Sequence, residues 1–177
     1  MSLWLHFGCG PNKLEKPWNN FDREVNIASL LPFGDNTAQF IYAEHVIEHV
    51  SFLEGMSFLG ECKRVLEPGG VLRFAFPDVT RFNTQTAIAS YLAFLKTEKE
   101  RAESLADIFR FIMLGSRHRA CWSRDIAEAA VTAIGFRSIT SPVYGESTHS
   151  PCLVDIEGHH KTSPVARLET TIIEAAK

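Results

Sequence analysis

Residues 4–11 read WLHFGCGP, and the reading of this octapeptide decides the fold. Trp4, Leu5, His6 and Phe7 form a short, mostly apolar run of the kind a buried strand presents. The run stops at Gly8-Cys9-Gly10-Pro11, where glycine and proline together turn the chain sharply. Gly8 and Gly10 lack a Cβ, so the backbone there can approach a ligand closely. A strand ending in such a turn suits an open α/β sheet, in which ligands sit beyond the carboxyl ends of the strands.

Working outward, Asn20-Phe21-Asp22 reads as the tip of a second strand, and residues 38–45 (AQFIYAEH) as a third, rich in β-formers. Ser51 and Glu54 have the spacing of a capping box and start a helix. Leu53, Met56, Leu59, Cys62 and Leu66 are expected to form its core face. Pro68 stops that helix, Gly69-Gly70 turns the chain, and residues 71–76 (VLRFAF) form a central strand. Residues 80–120 hold two helical stretches, 85–95 and 98–114, with Gly115 ending the second. That is too long for a plain connection, so an inserted helical subdomain or lid is expected. Ser123 caps a further helix, with Ile126, Ala130, Val131 and Ile134 on one face and Gly135 at its end. Residues 136–143 and 168–175 read as closing strands, joined by a polar stretch containing Gly145, Gly158 and Pro164. The alternation is that of a single α/β domain spanning 1–177.

The bulk properties exclude several classes. The chain has 177 residues, 45% of them hydrophobic, enough for one full core and against disorder. A formal net charge of -3 gives no general attraction to nucleic acid or anionic membranes. The one basic cluster, Arg117-His118-Arg119, reads as a solvated loop. Cys9, Cys62, Cys121 and Cys152 are far apart and form no C-x-x-C pair, so free, mostly buried thiols are expected. No secretory leader is recognised at the start, and no apolar run approaches the length of a bilayer span. A soluble cytoplasmic protein is the expectation.

The fragments LHFGCGPN (5–12), NNFD (19–22), LPFGDNTAQFIYAEHVIEHV (31–50) and ECKRVLEPGGVLRFAFPD (61–78) occur in this order. Together they resemble class I S-adenosylmethionine (SAM)-dependent methyltransferases, most closely a small type 11-like bacterial group with LHxGCGPN at its start. The Gly135-Phe136 pair and the IIEAAK ending (172–177) are similar to the last two strands of that group. The resemblance covers nearly the whole chain except 80–120. It implies a Rossmann-like doubly wound sheet and SAM as cofactor, held around His6, Gly8, Cys9, Gly10, Asp22, Asn26, Glu44 and His45. The Asp22 carboxylate can accept hydrogen bonds from both ribose hydroxyls of an adenosine.

Two positions depart from that pattern. Many relatives carry an acidic residue where this chain has His6, and the adenine-facing acidic residue aligns with Asn26. Neutral histidine and asparagine can hydrogen-bond but bring no charge. NAD is disfavoured as the cofactor. Dinucleotide sites use a third glycine and a helix N-terminus to hold pyrophosphate, whereas here Pro11 and Pro17 leave room for barely one helical turn.

Glu44, His45, Glu48 and His49 cluster at the end of the third strand. Three readings compete there. His49, with Glu48 beside it, suits general-base work on a hydroxyl or amine that must lose a proton on methylation; the resemblance maps this pair near the acceptor site of some O-methyltransferases. His45-Val-Ile-Glu48-His49 also matches the H-x-x-E-H peptidase pattern. That pattern needs both histidines on one helix face, and the Ser51 cap places the helix after His49, so no metal is assigned. The third reading is structural, with His49 tying a loop to the sheet. His118 is a second catalytic candidate, should the insert fold over the site, against solvent exposure as its alternative. The His159-His160 pair is expected in an exposed loop.

The function implied is methyl transfer from SAM to a small-molecule acceptor, a saccharide or lipid-linked compound among the options. The alternative is a non-catalytic SAM-fold module that binds a ligand or protein. Chain length adds an expectation of a truncated sheet. Between Phe7 and Asn20 there are twelve residues, broken by two prolines, just enough for an irregular crossover without a proper helix; between Asp22 and Asn26 there are three. A parallel neighbour needs a longer crossover, so the usual third strand at the edge should be missing. The adenine side would then be open, with room for a partner chain, such as a second copy in a homodimer, to close it.

Overall fold

A computed structural model describes residues 2–115, 117–158 and 165–177. Within them, β1 (Leu3–Phe7), β2 (Trp18–Phe21), β3 (Ala38–Glu44), β4 (Leu66–Pro77), β5 (Arg137–Thr140) and β6 (Thr170–Ala176) form one six-stranded sheet in the order β2-β1-β3-β4-β6-β5. The first four strands run parallel, and β6 lies antiparallel between β4 and β5. β2 is the sheet edge, so the expected absence of a third edge strand holds among the described residues. Residues 8–17 run as turns and irregular chain, as twelve proline-broken residues required. His159, His160 and Pro164 lie outside the described residues.

One face of the sheet carries the main core. Phe7, Ile41, Phe74 and Ile173 point into it, against α1 (Phe52–Val65) and the helix of residues 124–134. α1 starts where expected. The Ser51 hydroxyl accepts from the Glu54 N–H and the Glu54 carboxylate accepts from the Ser51 N–H at 2.7 Å. Its core face, however, is Gly55, Phe58, Leu59, Cys62 and Val65, and Leu53 is 77% exposed. Nine residues are two and a half turns, so Leu53 points away from Cys62 rather than with it. Gly55 is needed there, because a Cβ would sit 2.8 Å from the Trp122 ring.

After β4 come α2 (Gln85–Thr97) and α3 (Leu105–Arg110), the latter running into a π turn at Phe111–Gly115. The second helical stretch was expected from residue 98. It begins only at Leu105, because Lys99 adopts φ 61° and a Ser104–Asp107 capping box sets the start. This segment has its own apolar cluster, with Phe82, Tyr91, Leu95, Ile108 and Ile112 buried together with Val165. α4 (Arg124–Ile134) is capped by Ser123 and ends at Gly135 in the left-handed conformation, φ 91°. Its buried residues are Ala127, Ala130 and Val131; Ile126 in the first turn is exposed, not inward as expected. The Asp78 carboxylate, at the end of β4, accepts from the Arg124 N–H (3.0 Å) and the Thr171 hydroxyl (2.9 Å), fastening α4 and β6 to that strand end. A one-turn helix, α5 (Ala166–Glu169), leads into β6. Cys9 and Cys62 are buried but Cys121 and Cys152 are exposed, so only half the thiols are interior.

The opposite face has no helix from residues 8–17 to cover it. The β5–β6 connection does so instead. Leu153 and Ile156 pack on Trp18, Phe40, Tyr42 and Val71. Beside them Arg73, fully buried on β4, is clamped between Glu157 of the connection and Glu174 of β6, its register partner. Arg73 Nε donates to Glu157 at 2.7 Å and Nη1 to the Glu146 carbonyl at 2.9 Å. Glu174 also accepts from the Thr148 N–H at 3.1 Å and meets His149 Nδ1 at 3.0 Å.

Replacing Arg73 by methionine leaves two buried carboxylates without their cation. The expected loss is about 3–5 kcal/mol of unfolding free energy, read from urea melts at neutral pH. An unchanged midpoint would show that the cluster does not hold the cover in place.

Candidate functional site

The turn after β1 is shaped by its glycines. Gly8 has φ +67°, and a Cβ on it would fall 2.1 Å from Val46 Cγ2. Gly10 has φ +46° and open space where a side chain would project. The Cys9 N–H donates to the Phe21 carbonyl at 3.1 Å, which draws this loop against the tip of β2 and sets Asp22 next to it. Between them opens a cavity of about 700 Å³, lined among others by Gly8, Gly10, Asp22, Asn26, His45 and His49. It sits at the carboxyl ends of β1, β2 and β3, where an open α/β sheet binds its ligands.

The other expected cofactor residues lie behind this lining. His6 is buried, with Nδ1 2.9 Å from Asn20 Oδ1 and its ring 4.9 Å from that of Tyr42. Burial pushes its pKa down, with the Asn20 contact opposing. Cys9 is buried, and burial, with Asp22 and Glu24 nearby, pushes its thiol pKa up. Glu44 is buried and accepts from the Gly158 N–H at 3.0 Å. Asn26 does line the cavity, but its carbonyl accepts from the Ala28 N–H (3.0 Å) and its amide donates to the Ser29 hydroxyl (3.1 Å).

Across the cavity, β3 ends at Glu44 and His45 turns the chain in the left-handed region, φ 51°. Such a backbone is uncommon outside glycine and persists where the surroundings determine it. His45 Nε2 hydrogen-bonds with the Thr170 hydroxyl at 3.1 Å, and Nδ1 lies 3.3 Å from Glu48 Oε1. Residues Ile47–His49 form one 3₁₀ turn, with Glu48 buried and His49 exposed. The Glu48 carbonyl accepts from the N–H groups of Arg119 (2.8 Å) and Ala120 (3.1 Å). That clamp turns His118 inward. Its side chain is only 6% exposed, with Nε2 3.9 Å from Glu48 Oε1 and its ring 4.8 Å from that of His49. Arg117 and Arg119 are exposed, so the basic cluster is solvated except at its histidine. Burial drives the His118 pKa down to about 4; Glu48 pulls it up, while His49 and His45 add to the lowering. It is therefore neutral at physiological pH. The structure thus brings together His45, Glu48, His49 and His118, the last from seventy residues away in the chain.

Sequence reasoning missed the floor of this cluster. Thr170 and Glu169 reach it only because β6 runs antiparallel to β4. The Tyr91 hydroxyl of α2 donates to Glu169 Oε2 at 2.5 Å. Burial lifts the Glu169 pKa from its ordinary 4.5 to about 7, the Tyr91 hydrogen bond opposing and the Glu48 charge adding.

The model of a methyltransferase-domain family matches residues 11–74. No curated protein matches. Among solved structures, a SAM-dependent methyltransferase from Archaeoglobus fulgidus superposes with a TM-score of 0.58 at 12% identity, covering 99% of this chain and 86% of that one. Phosphoethanolamine N-methyltransferase 2 of Haemonchus contortus, solved with SAM, gives 0.55 at 11% identity, covering 100% and 49%. A possible exported protein from Bordetella parapertussis gives 0.51 at 9%, covering 96% and 47%. The fold is that of the class I methyltransferases. The chain spans about half the length of the Haemonchus and Bordetella proteins. Among the described residues no helix is long and apolar enough to cross a membrane.

The raised pKa of Glu169 has a sign that can be tested. Between pH 4.5 and 7 the folded state holds this proton while the unfolded chain releases it, so stability falls as pH rises through that window. Glu169→Gln removes the dependence. Melting temperatures from pH 4.5 to 8 are expected to decline less steeply in the variant than in the wild type; parallel profiles would refute the assignment.

Proposed function

We propose that this chain is a SAM-dependent methyltransferase whose acceptor is a small molecule carrying a hydroxyl or an amine. The carrying observation is the cavity of about 700 Å³ that has the Gly8–Gly10 turn and Asp22 on one side and His49 on the other. Its residues fit the cofactor. Gly10 offers open backbone, and a carboxylate stands at the end of β2, where this fold accepts ribose hydroxyls. The match of residues 11–74 to the methyltransferase-domain model supports the same reading, as does the resemblance of residues 5–12 to the start of the small type 11-like group.

SAM, when bound, supplies an electrophilic methyl group on a sulfonium. The chain's part is to position the acceptor and exclude water. On this reading Gly8, Gly10 and Asp22 hold the cofactor, with Asn26 at the adenine end. His45 lines the site beside them, and His6, Cys9 and Glu44 shape it from behind the lining. Glu48, His49 and His118 form the end where the acceptor's proton leaves. Residues 80–120 act as the lid that selects the acceptor within a single domain, 1–177. A saccharide or lipid-linked acceptor, a homodimer closing the open edge and a cytoplasmic setting belong to the same proposal.

A non-catalytic binding module is the second reading. Two observations favour it: His6 stands buried where relatives carry an acid, and the Asn26 amide is taken up by its own turn. Titration calorimetry with SAM and S-adenosylhomocysteine separates the two, since binding of both supports the enzyme and silence with both defeats it.

Asp22→Ala is expected to weaken SAM binding by about 1.5–3 kcal/mol, the worth of hydrogen bonds to a charged group. An unchanged dissociation constant would remove Asp22 from the site. His49→Ala is expected to lower turnover while leaving SAM affinity nearly intact; loss of SAM binding instead would make His49 a structural residue.

A further inference from the structure

We infer that Glu48, His49 and His118 bind a divalent transition-metal ion of the zinc class at the wall of the cavity. One oxygen or nitrogen from each of the three side chains lies within 4.8 Å of the others. Donors of a tetrahedral zinc ion stand roughly 3.4 Å apart, given Zn–N and Zn–O bonds of about 2.0–2.1 Å. Small side-chain rotations that bring the donors closer by up to roughly 1.4 Å would close the set.

Two segments build the cluster. Glu48 and His49 come from the 3₁₀ turn after β3, and His118 from the loop that the Glu48 carbonyl holds through the Arg119 and Ala120 N–H groups. The backbone of one ligand residue thus anchors the loop that delivers another. His45 is placed as the supporting residue. Its Nδ1 lies 3.3 Å from Glu48 Oε1 while its Nε2 hydrogen-bonds with Thr170. A partner that orients a ligating carboxylate is the usual support of such a site. The arrangement differs from the H-x-x-E-H peptidase pattern. His118 takes the place that pattern gives to His45.

Two histidines and one carboxylate suit zinc and other borderline ions better than magnesium or calcium, which take oxygen donors. Three protein ligands leave a coordination position open, and His49 lines the cavity. Resting on the methyl-transfer reading, that position faces the acceptor and selects one with a ligating oxygen or nitrogen.

Purified full-length protein stripped with EDTA would be titrated with Zn²⁺ by calorimetry, and with Co²⁺ followed by its visible absorption. One ion per chain is expected, with excess Mg²⁺ failing to compete. His49 is exposed, so His49→Ala leaves the fold intact and is expected to abolish stoichiometric uptake, as is His118→Ala in protein whose melting temperature is retained. His45→Ala is expected to weaken binding roughly 10–100-fold. Wild type that takes up no stoichiometric Zn²⁺, or uptake unchanged in His49→Ala, overturns the inference. SAM calorimetry on the stripped protein separates the two ideas. SAM bound with no zinc site sinks only the metal; zinc bound with no SAM or S-adenosylhomocysteine binding sinks only the methyltransferase.

Discussion

The buried guanidinium of Arg73 is the constraint on which the arrangement of this molecule depends. The long helices α1 and α4 pack on one face of the sheet, and Phe40, Tyr42 and Val71 on the other must be kept from water. Leu153 and Ile156 of the β5–β6 connection do this, from a stretch whose described residues form only short helical turns. Apolar contact alone is non-directional and would let such a segment slide. A cation taken out of water costs several kcal/mol unless carboxylates meet it with good geometry. Glu174 meets it from the neighbouring strand and Glu157 from the connection, so only one placement of the connection satisfies Arg73. Net stability from such a pair is small beside an apolar substitute of the same volume. What the cluster supplies is position.

That position carries through to the site. Just past Glu157, the Gly158 N–H donates to Glu44 at the end of β3, and a Cβ on Gly158 would lie 3.1 Å from Asn12 Cβ. The cover thus borders both the chain that follows Gly10 and the strand end from which His45 turns. On the other side, Asp78 fixes the ends of β4 and β6 relative to each other, which sets Glu169 and Thr170 beneath the histidine cluster. The two faces of the cavity are therefore referenced to the same sheet edge by buried polar contacts. Loops held in this way can present side chains to within the tolerance that chemistry needs.

Much of this was readable from local sequence. The Gly8–Gly10 turn, the Ser51–Glu54 box, the Gly135 stop and the missing edge strand each follow from steric or hydrogen-bonding rules within a few residues, or from counting chain length. The failures have physical causes too. Leu53 has the apolar identity of a core residue, but helical phase turns it outward. Helical propensity extends through residues 98–104, but the cap at Ser104 decides where α3 starts. His118 was readable only as a candidate, since what buries it is a backbone clamp from Glu48, far off in the chain. Arg73, Glu157 and Glu174 carry no local signal; their pairing exists only once β6 lies beside β4.

The open edge at β2 decides how recognition must be divided across the cavity. In this fold a third strand and its crossover would normally stand beside β2 and shape the adenine end. Here the chain leaves Asp22 and folds at once into a turn, and the Asn26 side chain binds Ala28 and Ser29 to hold that turn. An amide used in this way has fewer directions left for a base, so discrimination at that end falls on shape and on the apolar side chains of Val25 and Ile27 in the cavity wall. On the proposed reading, directional recognition is left to the Gly8–Gly10 backbone and the Asp22 carboxylate. A cofactor held as proposed, mainly through its ribose and its far end, would be positioned best at the side facing His49 and least where the sheet has been cut short.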